Sequence, residues 1–149
     1  VHTSVANSRQ LIAQYLMRPE IYAVTLKEQP QLAIGSVGLE LVANGGGQAF
    51  MDPNDAEIGY WIGVPFWGQG LIPEAMQALV TRGFQVLTLT NIWCGYYAGN
   101  RRSERAQAKL GFQPARTVAA LYNPILGDTR QTHFTKLTKA AWHSKIKIN

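Results

Sequence analysis

Apolar residues recur along this chain in two rhythms, one helical and one alternating, and the switches between them mark its elements. From 4 to 17 the spacing is helical, with Val5, Ile12, Tyr15 and Leu16 on one side, and Pro19 closes the run. Residues 21–27 and 34–42 are predicted strands, joined by a turn through Glu28, Gln29, Pro30 and Gln31. In the second strand Val37, Leu39 and Leu41 form an apolar face. Ser36, Gly38 and Glu40 form a wetter one, which either borders a site or simply meets solvent. The glycine-rich stretch 44–54 reads as a mobile loop.

Residues 57–62 carry aromatic and branched side chains in both alternating positions, as in a strand covered on both faces. Helical spacing returns over 72–84, where Met76, Leu79, Val80 and Phe84 point toward a core. Residues 91–97 form an aromatic-rich strand, and 100–110 a short helix with Asn100 as N-cap and Gly111 at a left-handed C-cap. A closing hairpin pairs 118–122 with 129–137 around Asn123-Pro124 and Gly127-Asp128. The tail 138–149 has room for one short helix. The order predicts an α/β (α+β) domain, a mixed sheet with helices on its faces.

The densest punctuation falls between the third strand and the helix after it. Pro65 and the pair Gly68 and Gly70 break the strand pattern, and Pro73 suits the first helical position. Glu74 then suits the positive end of the helix dipole. Such a junction offers free backbone N–H groups to an anion such as a pyrophosphate, and it equally fits an ordinary strand-to-helix turn. No Gly-Lys-Ser/Thr follows, which excludes an ATP-type phosphate loop, and the third glycine of a dinucleotide fingerprint is absent.

Composition narrows the setting. A chain of 149 residues is read as one domain, large enough for its own core. The single cysteine, Cys94, excludes a disulfide framework and points to a reducing compartment such as the cytoplasm, as a buried structural thiol. No apolar run reaches membrane-spanning length, and the opening residues lack a signal-peptide build. No His, Cys, Asp or Glu cluster has metal-ligand spacing, so no metal is expected, and His133 reads as structural. The net charge of +5 fits nucleic acid or a polyphosphate. Clustering of Arg101, Arg102 and Arg105 favours a local anion site over a nucleic-acid track.

Asn100-Arg101-Arg102-Ser103, followed by Lys109-Leu110-Gly111-Phe112, resembles the Asn-x-x-Ser…Lys-x-Gly-Phe signature of GNAT N-acetyltransferases, in particular the RimJ/RimL-like branch. Gly59-Tyr60-Trp61-Ile62 and Trp67-Gly68-Gln69-Gly70…Glu74-Ala75 are similar to that branch's acetyl-CoA-binding motif. The likeness runs over residues 21–137 and implies a GNAT-type, mostly antiparallel central sheet flanked by helices. The family's first strand is missing before Val1, which implies an N-terminally truncated domain.

The resemblance implies transfer of acetyl from acetyl-CoA to a primary amine, either a protein N-terminus or a small molecule, without metal, nucleic acid or membrane, and by analogy in a homodimer. Backbone groups of Ile62, Gly63 and Val64 would pair with the pantetheine arm. The strand 91–97 would splay from 57–62 to admit it. Amides of Gly68, Gln69, Gly70, Leu71 and Ile72, beside Trp67, would cradle the pyrophosphate. Arg102, Arg101 or Arg105 would meet the adenosine phosphates or lie on a solvated helix face. A backbone N–H around Trp61 and Ile62 would polarise the thioester carbonyl.

Ser103 is the candidate partner of the departing thiolate, against plain helix-start hydrogen bonding. Asn100 would bond the cofactor arm, cap its helix, or both. Glu57 is the candidate base and Glu40 its rival; each also reads as a solvated strand-end carboxylate. Ile72 departs from the small residue usual in the family and would tighten the pyrophosphate pocket. The helix position that carries a tyrosine general acid in many GNAT enzymes is Gln107 here, so that role does not carry over. The acceptor pocket would be lined by loop 43–54 and the last hairpin.

Two alternatives stand beside the enzyme. A non-catalytic acyl-CoA-binding module of the same fold would bind the cofactor and turn over no amine. A basic nucleic-acid-binding domain would bind duplexes in a salt-sensitive way.

Overall fold

A computed structural model of the chain describes residues 4–123 and 126–146. Residues 1–3 and 147–149, and with Pro124 a part of the predicted hairpin loop, lie outside the described residues. The strands are β1 (Ile21–Leu26), β2 (Gln29–Leu41), β3 (Asp55–Ile62), β4 (Asn91–Tyr97), β5 (Gln113–Asn123) and β6 (Asp128–Thr138). The helices are α1 (Val5–Leu11), α2 (Leu71–Gln85), α3 (Arg101–Leu110) and α4 (Lys139–Ile146). The strands form one six-stranded sheet in the order β1-β2-β3-β4-β6-β5. Every neighbouring pair is antiparallel except β3 and β4, which run parallel. The predicted mixed, mostly antiparallel sheet with flanking helices is the observed architecture. No described helix is long and apolar enough to cross a membrane.

The main core lies under α2. Its Met76, Leu79, Val80 and Phe84 are buried with Val37 and Leu39 of β2 and with Ala56 and Ile58 of β3. Gly83 lets this helix approach the sheet, because a Cβ there would lie 2.8 Å from Ile92 Cδ1. Trp142 of α4 closes the same core, its ring 5.3 Å from that of Phe84, so the tail is part of the fold. A second cluster on the opposite face joins Met51, Trp93 and Phe134. Phe50 packs edge-on against both aromatic rings. The loop 44–54 is therefore anchored by its own apolar residues, contrary to the mobile loop predicted from its glycines.

Several boundaries differ from the sequence reading, each for a local reason. The first helix gives way after Leu11 to a π-helical segment, Ile12–Leu16, and holds no buried residue. The helical rhythm is real, but Val5 and Ile12 stay exposed because no described element covers that face. The first hairpin turns at Lys27 and Glu28, and Pro30 lies inside β2. There the strand has not yet met β3, whose pairing begins at Gly35 with Ile62, so no ladder N–H is lost. Ser36 and Gly38 are buried, not wet. Ser36 Oγ donates to the Tyr22 carbonyl, and Ile21 lies over Gly38. β5 begins at Gln113, where Pro114 and a bulge masked the alternation.

Pro73 occupies the third helical position, because Gly70 is the N-cap. It still falls where a helical N–H has no internal partner.

Candidate active site

β3 and β4 pair only at Asp55 with Asn91, Ala56 with Ile92 and Glu57 with Trp93. Beyond that point both strands continue without pairing each other, leaving a gap between their C-terminal halves. Asp55 locks the base of the gap. It accepts from Asn91 Nδ2 at 2.9 Å, from Trp93 Nε1 at 2.7 Å and from the Asp52 amide at 3.2 Å. The gap opens into a cleft of about 1200 Å³ that reaches from α2 and α3 to loop 44–54 and β6.

Hydrogen-bond parity decides which backbone groups face this gap. The Gly63 N–H donates to the Ile34 carbonyl at 2.8 Å, so it faces β2. Alternation then turns the N–H and C=O groups of Tyr60 and Ile62 toward the open edge, and those of Trp61 toward β2. The Ile62 carbonyl accepts from Trp67 Nε1 at 3.0 Å, which leaves the N–H groups of Ile62 and Tyr60 as donors at the gap, that of Ile62 nearer the turn. This removes Gly63 and Trp61 from the set of N–H groups expected there. Nor is β3 covered on both faces: Gly59 and Trp61 are exposed on the cleft side.

At the mouth of the gap, Gly68 (φ +78°) and Gly70 (φ +79°) hold the chain in left-handed conformations. A Cβ added to either would touch nothing within 4 Å, so packing does not require glycine there; the backbone conformation does. Helix α2 has no side-chain cap. The amides of Gly68, Gln69, Gly70, Leu71 and Ile72 meet no acceptor among the described residues. Free amides at a helix start form an anion site.

The Ile72 side chain packs into the main core at 7% exposure, and the residue also borders the cleft. Arg102 stacks over the Trp67 ring at 4.4 Å and lines the cleft with Arg105 and Lys109. Arg101 instead pairs with Glu104 on the exposed helix face.

Ser103 enters the gap from the first turn of α3. Asn100 caps that helix by accepting the Ser103 N–H at 3.2 Å, and it also borders the cleft, so capping and access coexist. Ser103 Oγ lies 2.5 Å from the Tyr60 hydroxyl. Buried Gln107 places Nε2 at 3.2 Å from the same oxygen, and its Oε1 accepts from Thr135 Oγ1 at 2.7 Å. Tyr60 is a site residue that the sequence reading missed. Its signal was a phenol on the core face of β3, between Ile58 and Ile62, where a buried hydroxyl needs a partner.

Glu57 faces the other side of the sheet, half-buried, and its Oε2 accepts from Gln48 Nε2 at 3.0 Å. Burial pushes its carboxyl above the usual carboxylate range; the Gln48 hydrogen bond opposes that shift and the Glu40 charge adds to it. Glu40 is exposed and stands opposite Glu57 in the β2–β3 register. Cys94 is buried, donates to the Ile58 carbonyl at 3.3 Å, and has its thiol pushed well above the ordinary range by burial. His133 bonds Thr117 and packs on Tyr96 on the far strands.

Residues 1–113 match the family described as an acetyltransferase (GNAT) domain. YdaF of Bacillus subtilis (strain 168), named "Putative ribosomal N-acetyltransferase", is 39% identical over 91 residues, which cover 60% of this chain and 49% of that protein. The chain spans about half the length of the curated relatives it matches. The structure of a GNAT-family acetyltransferase from Bacillus anthracis superposes with a TM-score of 0.73 at 17% identity, covering 92% of this chain and 76% of that one. The ribosomal-protein-S5-alanine acetyltransferase of Vibrio fischeri gives a TM-score of 0.65 at 18% identity, covering 93% and 70%. These two likenesses are likenesses of fold.

Proposed function

This chain belongs to the GNAT acetyltransferase family, and from that premise we propose that it transfers acetyl from acetyl-CoA directly to a primary amine. The observation that carries the reading is the parting of β3 and β4 beyond Glu57 and Trp93, ending at a turn with five free amides. A strand-like pantetheine arm fits an open strand edge, and a pyrophosphate fits the turn. The donor's arm would bond along Tyr60 and Ile62, while Gly68, Gln69, Gly70, Leu71 and Ile72 hold its pyrophosphate and Arg102 and Arg105 its single further phosphate, on the adenosine ribose.

In the chemical step, holding amine and thioester side by side supplies the largest share, on the order of 7–11 kcal/mol in well-oriented systems. The Ile62 N–H polarises the thioester carbonyl; one such donor is worth roughly 3–4 kcal/mol in comparable oxyanion sites. The amine nitrogen attacks that carbonyl carbon and loses a proton to Glu57, directly or through water. The carbon–sulfur bond then breaks, and Ser103 hydrogen-bonds the thiolate. A carboxyl held above its ordinary range is a stronger base once ionised, which favours Glu57 over exposed Glu40.

The acceptor side is walled by Glu57, Gln48, Trp61 and Phe134. We assign the chain to the RimJ/RimL-like branch on its Asn100-x-x-Ser103 motif, with a protein N-terminal amine as first acceptor class and a small-molecule amine as second. A CoA-dependent reaction and a buried, reduced thiol suit the cytoplasm.

Calorimetric titration with acetyl-CoA, beside dephospho-CoA and ATP, tests the donor, and thiol release across a panel of peptides and small amines tests the transfer. Selective acetyl-CoA binding with amine-dependent thiol release is expected. Binding without turnover on any amine would leave a non-catalytic acyl-CoA module, and no binding would end the reading.

A further inference from the structure

We propose that Tyr60 is a positioning residue for Ser103: its phenol donates to the serine oxygen and so turns the serine's own proton into the gap, toward the departing thiolate. The proposal rests on the acetyltransferase reading above and adds a residue to it.

The argument is a proton count. Gln107 can sit only one way round. Its Oε1 takes the Thr135 hydroxyl at 2.7 Å, and its Nε2 lies 3.3 Å from the Gly95 carbonyl, which can only accept. The amide nitrogen is therefore a donor toward Ser103 Oγ at 3.2 Å and Tyr60 Oη at 3.3 Å. Between the two hydroxyls, 2.5 Å apart, the phenol is the stronger acid and the better donor. Its other acceptors are the Ser103 backbone carbonyl, 3.5 Å away, and the Cys94 sulfur, a weak acceptor.

Of the two Gln107 Nε2 protons one goes to the Gly95 carbonyl and the other is shared between Ser103 Oγ at 3.2 Å and Tyr60 Oη at 3.3 Å, so Ser103 Oγ accepts from Tyr60 and takes a share of the Gln107 proton. Its single proton is left to point away from both, into the cleft that Ser103 lines. Burial, followed by the nearby Cys94 thiol, pushes the Tyr60 phenol up to about 12, with the hydrogen-bond contacts to Ser103 and Gln107 opposing that rise. It stays protonated through the neutral range, so the arrangement does not lapse with pH. No proton leaves Tyr60; it only dictates where the Ser103 proton lies.

The test needs no acceptor amine. CoA itself is the probe, because the bound product presents the thiol whose ionised form Ser103 would stabilise. Calorimetry first establishes that CoA binds to parent and variants. The ionisation of its thiol on the protein is then followed by ultraviolet thiolate absorbance, with CoA lacking its sulfur as the blank. In the parent the bound thiol should titrate lower than in Ser103→Ala by about one pKa unit, the worth of one hydrogen bond to a charged group.

Tyr60→Phe should recover most of that rise alone and add nothing in the Ser103→Ala background, because it acts through Ser103. Gln107→Met, which removes the second donor to Ser103, should shift the titration the same way and serves if Tyr60→Phe folds poorly. A Tyr60→Phe shift that adds in full to that of Ser103→Ala would overturn the proposal. A titration unmoved by Tyr60→Phe while melting temperature falls would make the phenol merely structural. Failure of CoA to bind at all is a different result, seen in the calorimeter, and defeats the cofactor reading together with this one.

Discussion

Glu57 pairs directly with Glu40 across the antiparallel β2–β3 ladder, so two carboxylates share one face of the sheet, and neither has an ion-pair partner among the described residues. Burial first, and then this like charge, holds the Glu57 carboxyl high, with Gln48 opposing. Between the ordinary carboxylate pKa and the raised one, the unfolded chain has released a proton that the folded chain keeps. The folded state binds more protons, so stability falls as pH rises through that window and levels off above it. Glu57→Gln should therefore melt higher than the parent at neutral pH and alike well below the window. Equal melting curves at both would mean that the carboxylate is adequately solvated.

The same pair makes a kinetic prediction. If Glu57 takes the amine's proton, the acid limb of kcat/KM follows its ionisation. Glu40→Gln removes a neighbouring negative charge, lowers the Glu57 pKa, and should move that limb to lower pH. Glu57→Gln should abolish the limb along with most of the rate. A limb indifferent to Glu40 would point to a different titrating group.

Gly70 and Gly45 share a left-handed backbone, at φ +79° and φ +80°, and open space where a Cβ would stand. Alanine at either position should cost about 1–2 kcal/mol of stability for conformational reasons alone. Only Gly70 belongs to the free-amide turn, so only Gly70→Ala should also weaken acetyl-CoA binding, by about tenfold or ~1.4 kcal/mol. Equal affinities for acetyl-CoA in the two variants would remove the turn from the cofactor site.

The strand and helix order was legible because alternation and helical spacing are local, and so were the caps at Asn100 and Gly111. The free-amide turn was legible for the same reason: its glycines, Gly68 and Gly70, stand two residues apart in sequence. Tyr60 was hidden because its partners, Ser103 and Gln107, arrive 43 and 47 residues later through a different element. Which N–H faces the gap was hidden too. Parity depends on the β2 register, and a shift of one residue would exchange Trp61 for Ile62. The loop anchored by Phe50 and Met51 looked mobile because glycine content speaks about the backbone and not about what the side chains find across the sheet.

Cys94 is wholly buried between β3 and β4, and burial keeps its thiol protonated. The native protein should not react with a disulfide reagent over an ordinary assay, whereas one thiol should appear in denaturant. Thiol release can then be read without a background from the protein itself. Rapid native reaction would show that the β3–β4 gap opens down to its base.

Trp142 is 6% exposed and stacks on Phe84, a residue of α2 that is itself 1% exposed. α2 begins at the free-amide turn, so the indole braces the far end of the helix that carries the candidate cofactor site. Trp142→Ala should leave a cavity and cost about 3–5 kcal/mol, the range for large aromatic truncations in a core. The urea midpoint should fall with little change in slope, since the same surface is exposed on unfolding. Because the turn's geometry comes from Gly68 and Gly70 rather than from the core, acetyl-CoA affinity in the folded variant should stay close to the parent's. A large loss of affinity without loss of stability would mean that α4 orders the turn, and that the tail acts on the site rather than on the fold.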